Sequence, residues 1–237
     1  MFLDKLRLYA ILTAITALAP AREFDAGQFQ PTAPRPPIVL PVQTKNLKEL
    51  SAGKLLVASR DLADPNFAHT VVLLIHYNAD GVAGLVLNRR TDLPLSQVME
   101  GVKGAKDRSD RVYLGGPVER PSLYCLLHAR NKPEGAEHIF GGTYLISTKP
   151  LFDQIMSTRP DPGNIHVYLG YAGWAKEQLR MEVAEGAWFI FPADVETVFS
   201  ADPDSLWPEM IRKTELKVAR GNADRNRLGK GTASAVP

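Results

Sequence analysis

Cysteine is almost absent from this 237-residue chain, and its scarcity excludes two kinds of site. With Cys125 as the single cysteine, neither an intrachain disulfide nor a cysteine-based metal site can form. The five histidines lack metal-binding spacings such as His-Glu-x-x-His, and neither a Gly-x-Ser-x-Gly elbow nor a Gly-Lys-Ser/Thr phosphate loop occurs. We therefore predict no catalytic residue, no metal and no cofactor, and we lean towards a protein without enzymatic activity.

A long apolar run is also missing from the N-terminal region. The apolar stretch at residues 8–19 is shorter than the roughly 20 residues that a membrane-spanning helix needs. Lys5 and Arg7 precede it and small residues close it, which is typical of a secretory signal peptide. We interpret residues 1–21 as a signal-peptide-like leader. An uncleaved anchor or amphipathic arm and a true start further downstream are the alternatives.

Proline is concentrated in one stretch and separates the leader from the rest of the chain. The segment 22–44 contains Pro31, Pro34, Pro36, Pro37 and Pro41. Because proline fixes φ and lacks an N–H donor, this composition predicts an extended, disordered linker. Neither a second linker nor an internal repeat follows. We predict a single domain over residues 45–215 and a disordered basic tail over 216–237.

Positive charge is scarce in the predicted domain. Residues 1–44 carry +1 and residues 216–237 carry +4, so the total of +2 leaves −3 for residues 45–215. Nucleic-acid affinity depends on clustered cations that displace counterions. The charge distribution therefore argues against specific nucleic-acid binding by the domain.

Apolar periodicity and turn residues predict a mixture of strands and single helices. The predicted strands are 54–59, 70–77, 82–88, 111–114, 122–129, 139–147, 165–171 and 187–191. The predicted helices are 94–100, 149–158, 175–185, 194–199 and 206–216. Strands cluster, several of them as hairpins, which is typical of an α+β fold rather than of repeated βαβ units.

The segment Gly170–Gln178 predicts a strand, a glycine-hinged turn and the start of a helix. Free N–H groups and the positive dipole end at such a helix start favour an anion, and Lys176 would add a cation. A structural interpretation explains the same residues: Trp174 fills the core and Gln178 pairs with Glu182. The anion site, in a small-anion-binding protein or a hydrolase, is our second functional hypothesis.

Asn88, Arg89 and Arg90 follow a predicted strand and form the most polar cluster of this kind in the domain. Paired guanidinium groups can clamp a carboxylate or phosphate through forked hydrogen bonds. They can equally anchor a loop through its carbonyl groups or through Asp92.

Two histidines invite catalytic interpretations. His128 lies three residues from Cys125, but side chains three apart on a strand point to opposite faces, which argues against a nucleophilic pair. His69 adjoins Asp61 and Asp64 and could join them in an acid–base or metal site, although loop capping explains those carboxylates too.

Several segments, in this order and spacing, resemble the YqgE/AlgH family. They are 53–58 (GKLLVA), 64–67 (DPNF), 81–89 (GVAGLVLNR), 114–118 (LGGPV), His128 and 170–188. The resemblance covers roughly residues 50–212. Two positions depart from the family pattern: Arg90 replaces a usual proline, and Glu177 replaces a usual small residue.

The resemblance implies an α+β fold in which a forked, mostly antiparallel sheet curls into a pseudo-barrel with flanking helices. It also implies a bacterial, cytoplasmic protein with a loose link to transcriptional regulation and no established biochemical activity. A functional leader would instead place the protein in the periplasm. The sequence contains no helix-turn-helix pattern that would support direct DNA reading.

Our leading hypothesis is a non-enzymatic regulatory or interaction protein that binds an unknown protein partner or a small acidic ligand. The predicted ligand or partner surface comprises Asn88, Arg89, Gly115, Gly116, His128, Gly173, Trp174 and Gln178. The oligomeric state is not predicted.

Overall fold

The computed structural model describes residues 47–99, 101–102 and 104–214. The predicted leader, linker and basic tail lie outside these residues. Ten strands are described: β1 (Lys54–Ala58), β2 (Val71–Tyr77), β3 (Val82–Val86), β4 (Arg90–Pro94), β5 (Arg111–Leu114), β6 (Val118–His128), β7 (Glu137–Phe140), β8 (Thr143–Ile146), β9 (Ile165–Trp174) and β10 (Trp188–Pro192). The helices are α1 (Leu95–Val98), α2 (Lys149–Ser157), α3 (Lys176–Ala184), α4 (Val195–Val198) and α5 (203–214). Short 3-10 turns lie at Leu47–Glu49 and Pro162–Asn164.

The strands form one curled sheet in the order β10-β1-β2-β3-β9-β6-β8-β7. Its pairs are antiparallel except for β5 with β9, which run parallel. This half-barrel with helices around it confirms the α+β prediction and the mostly antiparallel sheet that the resemblance implies.

The sheet forks at β9. One edge of β9 pairs with β6, while its other edge pairs first with β5 at Tyr168 and Leu169 and then with β3 at Ala172–Trp174. β4 pairs with β5 and leaves the main strand order. Residues of β9 therefore lie beside three different strands, which gives this strand the central place in the fold.

Alternation along the central strands separates two hydrophobic cores. Tyr124 and Leu126 of β6 face one core, with Tyr168 of β9, all three Trp residues and most of β1–β3. Cys125 and Val167 face the other core, together with α2. Because side chains alternate along a strand, one sheet supplies both cores.

Two predicted elements differ from the structure, and one strand was not predicted. The strand predicted at 139–147 is a hairpin of β7 and β8, because Gly141 adopts φ 48° and turns the chain. β4 was not predicted, since its residues are largely exposed and its sequence lacks apolar alternation. The predicted helix at 94–100 is the four-residue α1, and Glu100 lies outside the described residues.

The predicted glycine-hinged turn near Gly173 is also wrong. β9 continues through Gly170 and Gly173 to Trp174, and Ala175 alone connects it to α3. Pairing with β3 holds the Gly173 region extended, since Gly173 lies opposite Ala83. The chain therefore changes from strand to helix without the loop that the two glycines suggested.

Local turn chemistry follows the sequence more closely. The Asp80-Gly81 signal marks the β2–β3 hairpin, where Asn78 Oδ1 accepts the N–H groups of both residues. Asp194 caps α4 by accepting the N–H of Thr197 at 2.8 Å.

Candidate functional site

Asn88 and Arg89 hold the loop that joins β1 to β2. Asn88 Oδ1 accepts the N–H of Val71 at 2.9 Å, and its Nδ2 donates to the His69 carbonyl at 2.9 Å. Arg89 Nη2 donates to the Pro65 carbonyl at 3.0 Å. Partial burial lowers the pKa of the Arg89 guanidinium, and the nearby Asp64 carboxylate opposes that shift. Both side chains thus perform the loop-anchoring role that was one of the two interpretations.

The same loop contains the predicted acid–base candidate His69. Its backbone is left-handed, with φ 59°, and its ring lies 4.3 Å from the Trp207 ring. Asp64 Oδ1 accepts the N–H of Asn66 at 2.7 Å, as loop capping requires. Within 47–99, 101–102 and 104–214, we find no group of three or more His, Cys, Asp or Glu residues placed to hold a metal ion.

Gly115 and Gly116 allow the β5–β6 connection to lie directly against β9. A Cβ at Gly115 would lie 2.3 Å from the Gly170 carbonyl oxygen, and one at Gly116 would lie 2.2 Å from the Tyr171 carbonyl carbon. Gly115 also accepts the N–H of Val86 and donates to Leu169, at 2.9 and 2.8 Å. Close backbone approach, rather than ligand contact, accounts for both glycines.

Trp174 and Gln178 converge on the carboxylate of Glu182. Glu182 Oε2 accepts from Trp174 Nε1 at 3.1 Å and from Trp188 Nε1 at 2.8 Å, and Oε1 accepts from Gln178 Nε2 at 2.9 Å. One carboxylate therefore joins β9, α3 and β10. The donors that an anion at this helix start would need from Trp174 and Gln178 already bind an internal anion.

The ammonium group of Lys176 is not a free cation at the start of α3. Its ammonium group lies 5.4 Å from the centre of the Tyr77 ring, within the range of a cation–π contact. Together with the Glu182 contacts, this placement favours the structural interpretation of Gly170–Gln178 over the anion site.

Cys125 and His128 lie on opposite faces of β6, as the strand geometry predicted. Cys125 is fully buried in the core with α2, and burial raises the pKa of its thiol. A buried thiol held in its neutral form is a poor nucleophile, so this cysteine acts as a small apolar residue.

His128 belongs to a group of polar side chains on the inner face of the sheet. We call this group the inner-face cluster; it comprises His128, Thr143, His166 and Tyr168. His128 lies opposite Thr143 in the β6–β8 pairing, and the β6–β9 pairing places His166 opposite Leu126, two residues from His128. Tyr168 follows His166 on the same face of β9.

Each member of the inner-face cluster has a buried polar atom without a hydrogen-bond partner among the described residues. These atoms are His128 Nδ1, Thr143 Oγ1, His166 Nδ1 and Tyr168 Oη. Thr143 and Tyr168 are completely buried. Leaving a buried donor or acceptor unpaired costs about 1–3 kcal/mol, so four in one region are an unusual concentration.

Burial keeps His166 and Tyr168 neutral. Desolvation lowers the pKa of His166 to about 4, against smaller opposing effects of a hydrogen bond to the Val198 backbone and of Asp110. Burial also raises the pKa of Tyr168 well above its ordinary value. At neutral pH, both groups therefore offer uncharged hydrogen-bonding atoms.

The predicted site residues contact different neighbours in the structure. Asn88, Arg89 and Trp174 share the β1–β2 loop as a neighbour, since Phe67 stacks on Trp174 at 5.3 Å. His128 instead faces Phe199, at the end of α4. The sequence prediction missed Thr143, His166 and Tyr168. The His-x-Tyr alternation in β9 is a sequence signal for His166 and Tyr168, but it carries no information about their partners.

The part of the chain that the structure describes has no helix long and apolar enough to cross a membrane.

A family model described as AlgH-like matches residues 55–219. A UPF0301 protein of Myxococcus xanthus is 36% identical over 171 residues, covering 70% of this chain and 91% of that protein. A UPF0301 protein of Chlorobium luteolum is 34% identical over 166 residues, covering 70% and 86%. The names of these relatives state no activity.

Two solved structures share the fold. The solution structure of the AlgH protein from Pseudomonas aeruginosa matches with a TM-score of 0.54 and 28% identity, covering 78% of this chain and 94% of that one. The crystal structure of a Corynebacterium diphtheriae protein matches with a TM-score of 0.57 and 21% identity, covering 70% and 87%. The second match supports the fold alone.

Proposed function

Because this chain belongs to the AlgH-like family, we propose that it is a non-enzymatic regulatory protein that binds a small polar ligand at the inner-face cluster. The regulatory role is inferred from the resemblance to the family, and the position of the ligand-binding site is inferred from the side-chain contacts.

One observation carries the proposal. The polar side chains of Asn88, Arg89, Trp174 and Gln178 all have partners within the fold. His128 differs, since its buried Nδ1 has no partner among the described residues. A polar ligand that paired with this atom and with its neighbours would recover the cost of burying them.

Charges near the cluster favour an uncharged ligand. Arg90 lowers the pKa of His166 while Asp110 raises it, so charges of both signs act on this imidazole. The ring centre of Tyr113 lies 4.7 Å from that of His166. Burial raises the pKa of Tyr113, while Arg90 lowers it and Asp204 raises it. Because charges of both signs act near the cluster, hydrogen bonding rather than net charge would select the ligand.

A regulatory output follows from what covers the cluster. Phe199, next to α4, contacts both imidazole rings. A ligand bound there would change the surroundings of Phe199, and an unknown protein partner could detect this change. The charge of −3 over residues 45–215 supports recognition of a protein rather than DNA. We place this activity in the cytoplasm by resemblance, or in the periplasm if residues 1–21 act as a leader.

The test compares His128→Leu with Arg89→Ala in the full chain. His128 is half-buried, and its buried Nδ1 has no partner among the described residues. Replacing this imidazole by an apolar group should leave the melting temperature unchanged or raise it, because the leucine has no polar atom to desolvate. Arg89→Ala should lower the melting temperature slightly, because the bond to Pro65 is lost.

Binding is measured with acetamide as an uncharged probe and acetate as its anionic counterpart, by following the histidine ring signals in NMR titrations. We expect acetamide to shift the signals of His128 and His166 in the native chain and in Arg89→Ala, and acetate to shift them less. The His166 signals should not respond in His128→Leu. Destabilisation of His128→Leu, or stronger shifts with acetate, would refute the proposal.

A further inference from the structure

Phe199 lies where it covers the inner-face cluster. Its ring centre is 5.2 Å from that of His166 and 6.0 Å from that of His128. It is half-buried and follows α4, a helix of four residues. An apolar ring therefore occupies the space in front of two imidazoles that each have an unpartnered nitrogen.

This contact is a poor match of chemistry. A phenyl ring has neither a conventional hydrogen-bond donor nor an acceptor, so its contacts with the two imidazole rings supply no hydrogen bond to His128 Nδ1 or His166 Nδ1. A ring of similar shape with polar edge atoms would make the same contacts and also pair with these nitrogens.

The backbone on either side of Phe199 allows a ligand ring to replace the phenyl ring. Asp194 fixes the start of α4 by accepting both the N–H and the hydroxyl of Thr197. Beyond Phe199, Ser200 is half-buried and Ala201 and Asp202 are exposed up to the start of α5 at residue 203. The phenyl ring can therefore leave its place while α4 keeps its cap.

We propose that the natural ligand is a planar, uncharged heterocycle with hydrogen-bonding groups on its edge. Its ring takes the place that the Phe199 ring fills in the ligand-free protein, which we call the ring position, so binding displaces the Phe199 side chain. This inference rests on the proposed function and adds the ligand class and the competing residue. The ring of Tyr113 also contacts the His166 ring.

The alternative is a small occupant such as buried water. Water often satisfies buried polar groups, and it would need neither a planar shape nor a movement of Phe199. A ligand that stacks on Phe199 in place is a further alternative. The sign of the affinity change in a Phe199 variant separates these alternatives from displacement.

The experiment measures the dissociation constant of uracil for the full chain and for Phe199→Ala by calorimetric titration. If the Phe199 ring must leave before uracil binds, only those native molecules in which the ring is already displaced can bind. The apparent affinity of the native chain is then the intrinsic affinity multiplied by the fraction of such molecules. We expect uracil to bind Phe199→Ala about tenfold more tightly or better. Phe199→Leu should fall between the two and provides a variant if the alanine variant does not fold.

Phe189→Ala is the matched control, since Phe189 is a half-buried phenylalanine on β10. It should leave the affinity for uracil at the native value. Combining Phe199→Ala with His128→Leu should abolish the gain, because the ring position would then lack one of its polar partners.

Each outcome decides between the two proposals. Equal or weaker binding of uracil by Phe199→Ala, with acetamide still binding at His128, would refute displacement and leave the proposed function intact. If uracil binds neither chain while acetamide binds, the ligand class is wrong. If none of the probes binds any variant, both proposals fail.

Discussion

The carboxylate of Glu182 connects three elements of the fold. Its two oxygens accept from two indole N–H groups and one amide, and these donors belong to β9, β10 and α3. Hydrogen bonds to an ionised group contribute more to stability than those between neutral groups. The carboxylate is therefore a structural acceptor, although its sequence neighbourhood suggested an external anion.

Glu182→Gln should lower the free energy of unfolding by about 2–3 kcal/mol, since the amide can present only one acceptor oxygen to three donors. Urea denaturation of the purified chain measures this change. Glu185→Gln, at an exposed position just after the same helix, should change it by less than about 0.5 kcal/mol. Equal effects of the two substitutions would contradict the structural role of Glu182.

His166 predicts how stability depends on pH. Its folded pKa of about 4 lies below the ordinary value of 6.5, so between these values the unfolded chain binds more protons than the folded one. The stabilisation is present above pH 6.5 and is lost as the pH falls towards 4, by about 3 kcal/mol in total.

His166→Gln should flatten this dependence in denaturation curves recorded between pH 7 and pH 4. The matched control is His138→Gln, at an exposed imidazole on β7. It should keep the native slope. A native slope in His166→Gln would show that other groups cause the acid sensitivity.

Among the elements, β9 and the β5–β6 connection lie so close together that only glycine fits at Gly115. A Cβ there would lie 2.3 Å from a backbone oxygen of β9. At Gly173, the nearest atom to a Cβ is Cε2 of Tyr171, at 3.2 Å, and a half-buried side chain can move. The two glycines look alike in the sequence but differ in what surrounds them.

Gly115→Ala should destabilise the protein by about 2–3 kcal/mol or prevent folding, because backbone atoms cannot yield. Gly173→Ala should cost less than about 1 kcal/mol. Thermal unfolding of both variants checks this order. A larger loss in Gly173→Ala would indicate that the Gly173 region needs a conformation other than the extended strand.

Elements that depend on local chemistry were predictable. Asn78 and Asp80-Gly81 define a hairpin through contacts within four residues, and Asp194 caps α4 in the same way. The end of β9 was not predictable, because pairing with β3 overrides the tendency of Gly173 to bend. Close approach of other strands, which a sequence does not display, decided the role of each glycine.

At the scale of the whole molecule, one sheet supports two cores. Trp174, Trp188 and Trp207 all lie in one core, and Cys125 lies in the other. Since β6 and β9 contribute side chains to both, loss of either core should disrupt the strands that the other core needs. The domain should therefore unfold in a single transition.

This expectation can be measured with two natural probes. Tryptophan fluorescence reports on one core, and reaction of the single cysteine with a thiol reagent reports on the other, since burial protects Cys125 and raises the pKa of its thiol. The two curves should share one midpoint in urea. Earlier exposure of Cys125 would show that the core containing α2 opens independently.

The sequence by itself determined the α+β class, most strand positions and the opposite orientations of Cys125 and His128. These features follow from the two-residue period of strands and from turn residues that act on their neighbours. Only the tertiary structure placed Phe199 over His128 and His166, and joined Trp174 and Trp188 through Glu182. Such contacts depend on sheet order and close packing between distant segments, which no local pattern in the sequence encodes.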